Sequence, residues 1–236
     1  MSRPLLNIAN VSKRFGGVQA LQGVGLAVKP GQVHGLIGPN GAGKTTLINL
    51  LTGVLTPTEG RIELLGQDIN HLPSHERVRR GLVRTFQINQ LFASMTPLQT
   101  LAMTVSQQRG HARQWWQPLG HDADVMVRSE SLLNLFKLTN VMHQNTRELP
   151  YGKRRLLEMA IALACEPKVL LLDEPMAGVP AGERAELMHT LSTLPSDVSV
   201  LLIEHDMDLV FEFAQRITVL VNGADRKSTR SELQSH

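Results

Sequence analysis

Residues 33 to 48 read Val33-His34-Gly35-Leu36-Ile37-Gly38-Pro39-Asn40-Gly41-Ala42-Gly43-Lys44-Thr45-Thr46-Leu47-Ile48. A short apolar strand runs into Gly-Pro-Asn-Gly-Ala-Gly-Lys-Thr, which satisfies the G-x-x-x-x-G-K-[ST] phosphate-loop pattern in full, and an amphipathic helix follows. Glycines let successive backbone N–H groups turn toward an anion, and the helix N-terminus adds partial positive charge. Gly38, Pro39, Asn40, Gly41, Ala42, Gly43, Lys44, Thr45 and Thr46 are therefore expected to wrap a polyphosphate. Lys44 would bridge the terminal phosphates: a unit charge about 4 Å away at an effective dielectric near 20 is worth roughly 4 kcal/mol. A single amide hydrogen bond contributes only about 1 kcal/mol net, so Lys44 is the costliest single loss. The Thr45 hydroxyl is placed to ligate Mg²⁺ that bridges phosphate oxygens.

Such a site needs carboxylates from a second strand. Val169-Leu170-Leu171-Leu172-Asp173-Glu174 supplies them, with four apolar residues burying the strand and two acids at its C-terminal edge, where ligands of open α/β sheets bind. Asp173 is expected to hold the metal, directly or through water. Glu174 is expected to polarise the attacking water as general base.

Outward from these motifs, short apolar segments alternate with stretches of helical period, the pattern of an α/β domain. Strands are expected at 5–11, 24–28, 32–37, 61–65, 82–85, 168–172, 198–203 and 217–221. Helices are expected at 44–53, 97–107, 124–139, 153–165, 181–194 and 206–215. The early strands lie too close together for crossover helices and should pair antiparallel. Residues 88–165 read as a helical insertion, with Trp115-Trp116 in a polar loop that either packs a helix end or contacts a partner. From Ala224 the sequence ADRKSTRSELQSH contains one large apolar residue, Leu233, and is expected to be a polar tail, atypical or unstructured, over 224–236.

Composition excludes several classes. With 236 residues, one large domain or two small ones are expected, and 42% hydrophobic against 19% charged residues argues for a folded core. A formal charge of +3 is too mild for a dedicated nucleic-acid binder. The single cysteine, Cys165, permits no intrachain disulfide and is read as an inert buried thiol, which points to a reducing compartment. Neither a signal-peptide core nor an apolar run of about 20 residues is present, so direct membrane insertion is not expected.

With both motifs placed, residues 5 to 223 resemble the ATP-binding subunits of ABC transporters, closest to the branched-chain amino-acid uptake type. The resemblance rests on residues 38–46, Arg84-Thr85-Phe86-Gln87, Leu149-Pro150-Tyr151-Gly152-Lys153-Arg154-Arg155, the strand ending Asp173-Glu174-Pro175, and Leu202-Ile203-Glu204-His205-Asp206. It implies a P-loop NTPase core with a RecA-like parallel sheet, an antiparallel β subdomain and an inserted helical subdomain, all within one ATPase domain spanning 1–223. Gln87 matches the glutamine that senses Mg²⁺ and water, and His205 the switch histidine that reaches the γ-phosphate. Phe15 matches the aromatic that stacks on adenine, although a core phenylalanine remains open as an alternative.

Residues 149–153 stand where the family carries Leu-Ser-Gly-Gly-Gln, which caps ATP held by the opposing subunit. Tyr151, Gly152 and Lys153 are thus expected to face nucleotide, with Pro150 in place of the serine. Lys153, Arg154 and Arg155 at a helix start oppose the macrodipole, a conflict that either bound polyphosphate or solvation would relieve. Pro180 replaces the usual Asn or Asp, which removes side-chain contacts across a dimer. Members normally continue past a Val-Asn-Gly like 221–223 with a strand and a helix, so the polar C-terminus looks truncated or replaced.

The resemblance implies Mg-ATP hydrolysis driving solute uptake by two ATP-binding subunits closing head to tail on membrane permease subunits, with a solute-binding protein engaged indirectly. The location implied is cytoplasmic, peripheral on the inner face of the membrane. A weakly active binding subunit paired with a different ATPase chain is the alternative. Tandem cassettes of translation or repair proteins do not fit 236 residues with one phosphate loop, and the guanine-reading Asn-Lys-x-Asp is absent.

Overall fold

The computed structural model describes residues 3–85, 93–109 and 122–229. Its chain divides into two compact units, one of residues 1–84, 168–175 and 195–236 and one of 85–167 and 176–194.

The first unit holds two sheets. One is antiparallel, with order β2-β1-β4-β5, built from Leu6–Phe15 (β1), Val18–Val28 (β2), Glu59–Leu64 (β4) and Gln67–Asp68 (β5). Leu6 and Ile8 are buried while Asn7 is less so, the period-2 alternation of a sheet with one face on the core. The hairpin is longer than the sequence suggests because bulges between Ile8 and Arg14 carry the pairing through polar residues.

The other sheet has order β10-β9-β3-β8-β7-β6. Its strands are Leu82–Arg84 (β6), Val169–Asp173 (β7), Ser199–Ile203 (β8), Val33–Ile37 (β3), Arg216–Val221 (β9) and Ala224–Thr229 (β10). β9, β3, β8, β7 and β6 run parallel, and β10 pairs antiparallel at one edge. Every residue of β8 and the first four of β7 are buried, since a parallel sheet covered on both faces needs unbroken apolar runs. The parallel register puts the C-terminal ends of β3, β7 and β8 on one edge.

β10 corrects the expectation of a polar tail for residues 224–229. Polar side chains do not preclude an edge strand, which needs only backbone partners, and Asp225 also accepts a hydrogen bond from the Gly25 N–H at 3.1 Å.

The helices of the first unit are Lys44–Leu51 (α1), Ser74–Arg79 (α2) and Met207–Phe213 (α7). α2 escaped the sequence reading, yet it carries Arg77, which is 1% exposed. The Arg77 guanidinium donates to the carbonyls of Leu50 and Leu51 at the end of α1, at 2.5 and 2.8 Å. It also donates to Leu72 and Asn70 at 2.9 and 3.1 Å. A buried cation thereby satisfies the orphan carbonyls at the C-terminus of the phosphate-loop helix.

The second unit contains Pro97–Gln108 (α3), Ala123–Leu135 (α4), Tyr151–Ala164 (α5) and Ala181–Ser192 (α6). α3 starts with a Thr96/Gln99 capping box and Pro97 in its first turn. The sequence placed 181–194 outside the helical insertion, but α6 packs within this unit. Trp115 and Trp116 lie outside the described residues. Cys165 is half-buried, and burial pushes its thiol pKa up, in keeping with an inert thiol.

Candidate nucleotide site

The loop between β3 and α1 depends on absent side chains. A Cβ on Gly38 would lie 2.3 Å from the Leu220 carbonyl oxygen. Gly43, at φ +103°, caps α1, and a Cβ there would meet Leu21 at 2.6 Å. The Gly223 N–H donates to Ala42 at 3.1 Å, tying the loop to the β9–β10 turn. α1 has no acidic residue in its first turn and no side-chain cap, so its leading N–H groups lack intrahelical acceptors. Lys44 is 7% exposed, and its ammonium donates to the carbonyls of Gly38 and Pro39 at 2.6 and 3.1 Å, which holds the cation against the loop. Asn40 and Thr45 are exposed, with Thr46 half-buried.

The acids arrive from neighbouring strand ends. Asp173 pairs in register with Ile203, and the Glu174 N–H donates to the Ile203 carbonyl at 2.9 Å. Glu174 adopts φ +45°, a left-handed conformation costly for a non-glycine residue and characteristic of functional positions. A cavity of about 540 Å³ is lined by Gly38, Pro39, Asn40, Glu174 and His205, together with Ile37, Met207 and Val219. The loop, the expected base and the expected switch histidine thus share one space.

His205 is exposed at the end of β8, immediately before Asp206, whose carboxylate caps α7. Glu204 is fully buried, accepts from the His205 N–H at 3.2 Å and lies 3.7 Å from its Nδ1. Its contribution to the histidine's setting escaped the sequence reading, although an acid directly before the histidine was the available signal.

Asp173 is held by a residue whose role was also missed. Arg84 Nη2 donates to Asp173 Oδ2 at 2.6 Å, and its Nη1 reaches Asn49 Oδ1 on α1 at 3.5 Å. Asp173 is therefore two contacts from the phosphate-loop helix.

Phe15 is 46% exposed at the tip of the β1–β2 hairpin, with the Lys13 ammonium 5.2 Å from its ring centroid, so it is not a core phenylalanine. Gln87 lies outside the described residues.

These groups fit a magnesium nucleotide. The glycine cradle would be filled by a Cβ, and a buried ammonium sits on it. Among the described residues no cluster of three His, Cys, Asp or Glu forms a metal cage. Mg²⁺ does not require one, because it is bound through one or two protein groups plus phosphate oxygens. Thr45 and Asp173 are the groups that would supply them here.

In the second unit the 151–153 segment is occupied from within its own chain. Tyr151 Oη donates to the Ala177 carbonyl at 2.9 Å. The Gly152 N–H donates to Glu183 Oε2 at 2.5 Å, and Lys153 Nζ bonds Glu186 at 2.8 Å and the Lys137 carbonyl at 3.0 Å. The expected exposure of the Gly152 N–H to a phosphate is thus corrected: a carboxylate of α6 already holds it. Of the cations at the start of α5, Lys153 pairs with Glu186 and Arg155 with Glu158 at 2.7 Å.

A parallel-sheet core with a full phosphate loop after β3 and two acids closing β7 defines a P-loop nucleotide-binding protein, and the chain belongs to the ABC transporter family, whose model matches residues 21–177. It is 40% identical over 233 residues to the high-affinity branched-chain amino acid transport ATP-binding protein BraF of Pseudomonas aeruginosa, covering 95% of this chain and 91% of that protein. The corresponding LivG of Escherichia coli is 38% identical over 233 residues, with coverage of 94% and 90%. The ADP conformation of MJ1267, an ATP-binding cassette of an ABC transporter, superposes with a TM-score of 0.85 at 30% identity, covering 99% of this chain and 94% of that one.

Proposed function

We propose that this chain binds and hydrolyses Mg-ATP as the energy-supplying subunit of an importer of small polar solutes, branched-chain amino acids or related compounds. The cavity shared by the phosphate loop, Glu174 and His205 carries this reading, and the similarity to BraF and LivG supplies the solute class. The cassette takes in residues 1–223 and β10, with the helical subdomain near 88–165 inserted. Its partners are permease subunits, a second ATP-binding subunit and, indirectly, a solute-binding protein, and its place is the cytoplasmic face of the membrane. Among the described residues no helix is long and apolar enough to cross a membrane, so attachment runs through the permease.

The residues divide the work as follows. Loop amides and Lys44 hold the β- and γ-phosphates, and Phe15 stacks on adenine, worth roughly 1–3 kcal/mol. Thr45 and Asp173, together with Gln87, would hold Mg²⁺, which would supply charge neutralisation at the phosphates. Glu174 accepts a proton from water as that water attacks the γ-phosphorus and the bond to the β–γ bridging oxygen breaks. His205 donates to a γ-phosphate oxygen, steadied by Glu204. Glu174→Gln should retain ATP binding, lose steady-state turnover by at least about a hundredfold and accumulate an ATP-bound dimer. Undiminished turnover would reject Glu174 as the base.

A second reading, a weakly active subunit paired with a different ATPase chain, draws on the Glu183 hold on Gly152 and on the side chains lost at Pro150 and Pro180. Turnover by the purified chain alone with permease would exclude it; turnover only with a second, different chain would support it.

A further inference from the structure

Arg84 is the last residue of β6 and pairs with Leu171 of β7, two residues before Asp173. Its side chain and that of Asp173 are each about a quarter exposed, so the pair sits at the sheet edge within reach of water. The guanidinium takes Oδ2 at 2.6 Å. Among the described residues Oδ1 has no hydrogen-bond partner. Asn49 Oδ1, on the phosphate-loop helix, engages the other arm of the fork at 3.5 Å. The carboxylate is therefore turned by one oxygen and presented by the other, with its charge compensated by the protein.

We propose that Arg84 is a positioning residue for Asp173 that sets the magnesium requirement of nucleotide binding, holding Oδ2 so that Oδ1 serves the metal and weakening the metal's hold through its own positive charge. The proposal rests on the reading of Asp173 as a magnesium partner. Two effects of Arg84 oppose each other. Fixing one short side chain favours metal binding modestly, since the rotamer freedom of a carboxylate of this size is small. A fixed unit charge beside a divalent cation opposes it by roughly tenfold in a watery site, so the charge term dominates. Such a counter-charge has a use: Asp173 is compensated when no metal is bound, and metal can leave with spent nucleotide.

The test is calorimetric titration of the full-length chain with a non-hydrolysable ATP analogue across a magnesium series, alongside a magnesium-free titration. Arg84→Gln and Arg84→Met remove the charge, and whichever folds decides; Arg84→Lys retains the charge without the fork. The charge-removing variants should reach half-saturation at roughly tenfold less magnesium, with magnesium-free affinity nearly unchanged, while Arg84→Lys stays within about twofold of the parent. A requirement that is unchanged or raised in the charge-removing variants would overturn the proposal, as would Arg84→Lys shifting as far as Arg84→Gln. Equal weakening with and without magnesium would assign Arg84 a purely structural role. Failure of the parent chain to take up the analogue at all would overturn the magnesium-nucleotide reading itself, and this proposal with it.

Discussion

The sequence points two helix N-termini at phosphate, and the fold treats them in opposite ways. α1 follows a glycine loop, carries no acid in its first turn and has no side-chain cap. α5 begins after Pro150 with Gly152 held by Glu183 and Lys153 by Glu186. Both have the same macrodipole. One leaves it for a ligand; the other satisfies it from a neighbouring helix. A helix N-terminus thus indicates where an anion is stabilised, and the surrounding acids decide whether that anion is foreign or the protein's own.

The largest expected effect breaks the comparison at its lysines. Lys44→Ala removes a buried ammonium from the phosphate loop and should weaken nucleotide binding by at least about a hundredfold, from roughly 4 kcal/mol of charge interaction. Lys153→Ala removes a cation already neutralised by Glu186 and should change nucleotide binding by the isolated chain less than about twofold. Fluorescent-nucleotide titration of both variants measures the contrast, and equal losses would erase it.

Burial chemistry sharpens the comparison next, with opposite signs in the two units. His34 on β3 is 4% exposed, its Nε2 meets Thr218 Oγ1 at 2.9 Å, and burial followed by the Arg216 charge lowers its pKa to about 4. Its unfolded value is near 6.5, so its stabilisation is complete above that and is lost as pH falls toward 4. Glu158 on α5 is 1% exposed, and burial raises its pKa to about 7 despite Arg155, which bonds it at 2.7 Å. Its stabilisation is present below about 4.5 and is lost as pH rises through about 7. Each is worth up to about 3 kcal/mol. Hydrogen exchange corrected for intrinsic rates should show β3 losing protection and α5 gaining it between about pH 7 and pH 5. His34→Gln should abolish the first change and Glu158→Gln the second. Protection that moves together in both elements would contradict the assignment.

The smallest effect concerns the internal cap. A Cβ on Gly152 would lie 2.2 Å from Glu183 Oε2, so Gly152→Ala must expel the carboxylate. The expected loss is about 1–2 kcal/mol, read by denaturant unfolding. Glu183→Gln, which keeps an acceptor oxygen, should cost about half as much.

What could be read from sequence was whatever is contiguous along the chain. The phosphate loop and the acids closing β7 announce themselves in nine and six consecutive residues, the histidine after β8 follows only from the family resemblance carried by residues 202–206, and the buried parallel strands follow from their apolar runs. Contacts made across the fold were silent. Arg84 and Asp173 are 89 positions apart, Gly152 and Glu183 are 31 apart, and Arg77 caps a helix 26 and 27 residues away. β10 was missed because its partner is backbone, which composition does not report.

The central claim, that residues 38–46 with Asp173, Glu174 and His205 form one magnesium-nucleotide site, is tested most directly by amide NMR of the full-length labelled chain titrated with magnesium and a non-hydrolysable ATP analogue. The account predicts saturable shifts, concentrated at Gly38 to Thr46 and at Asp173, Glu174 and His205. Shifts that leave the loop unmoved, or no saturable response, would contradict it.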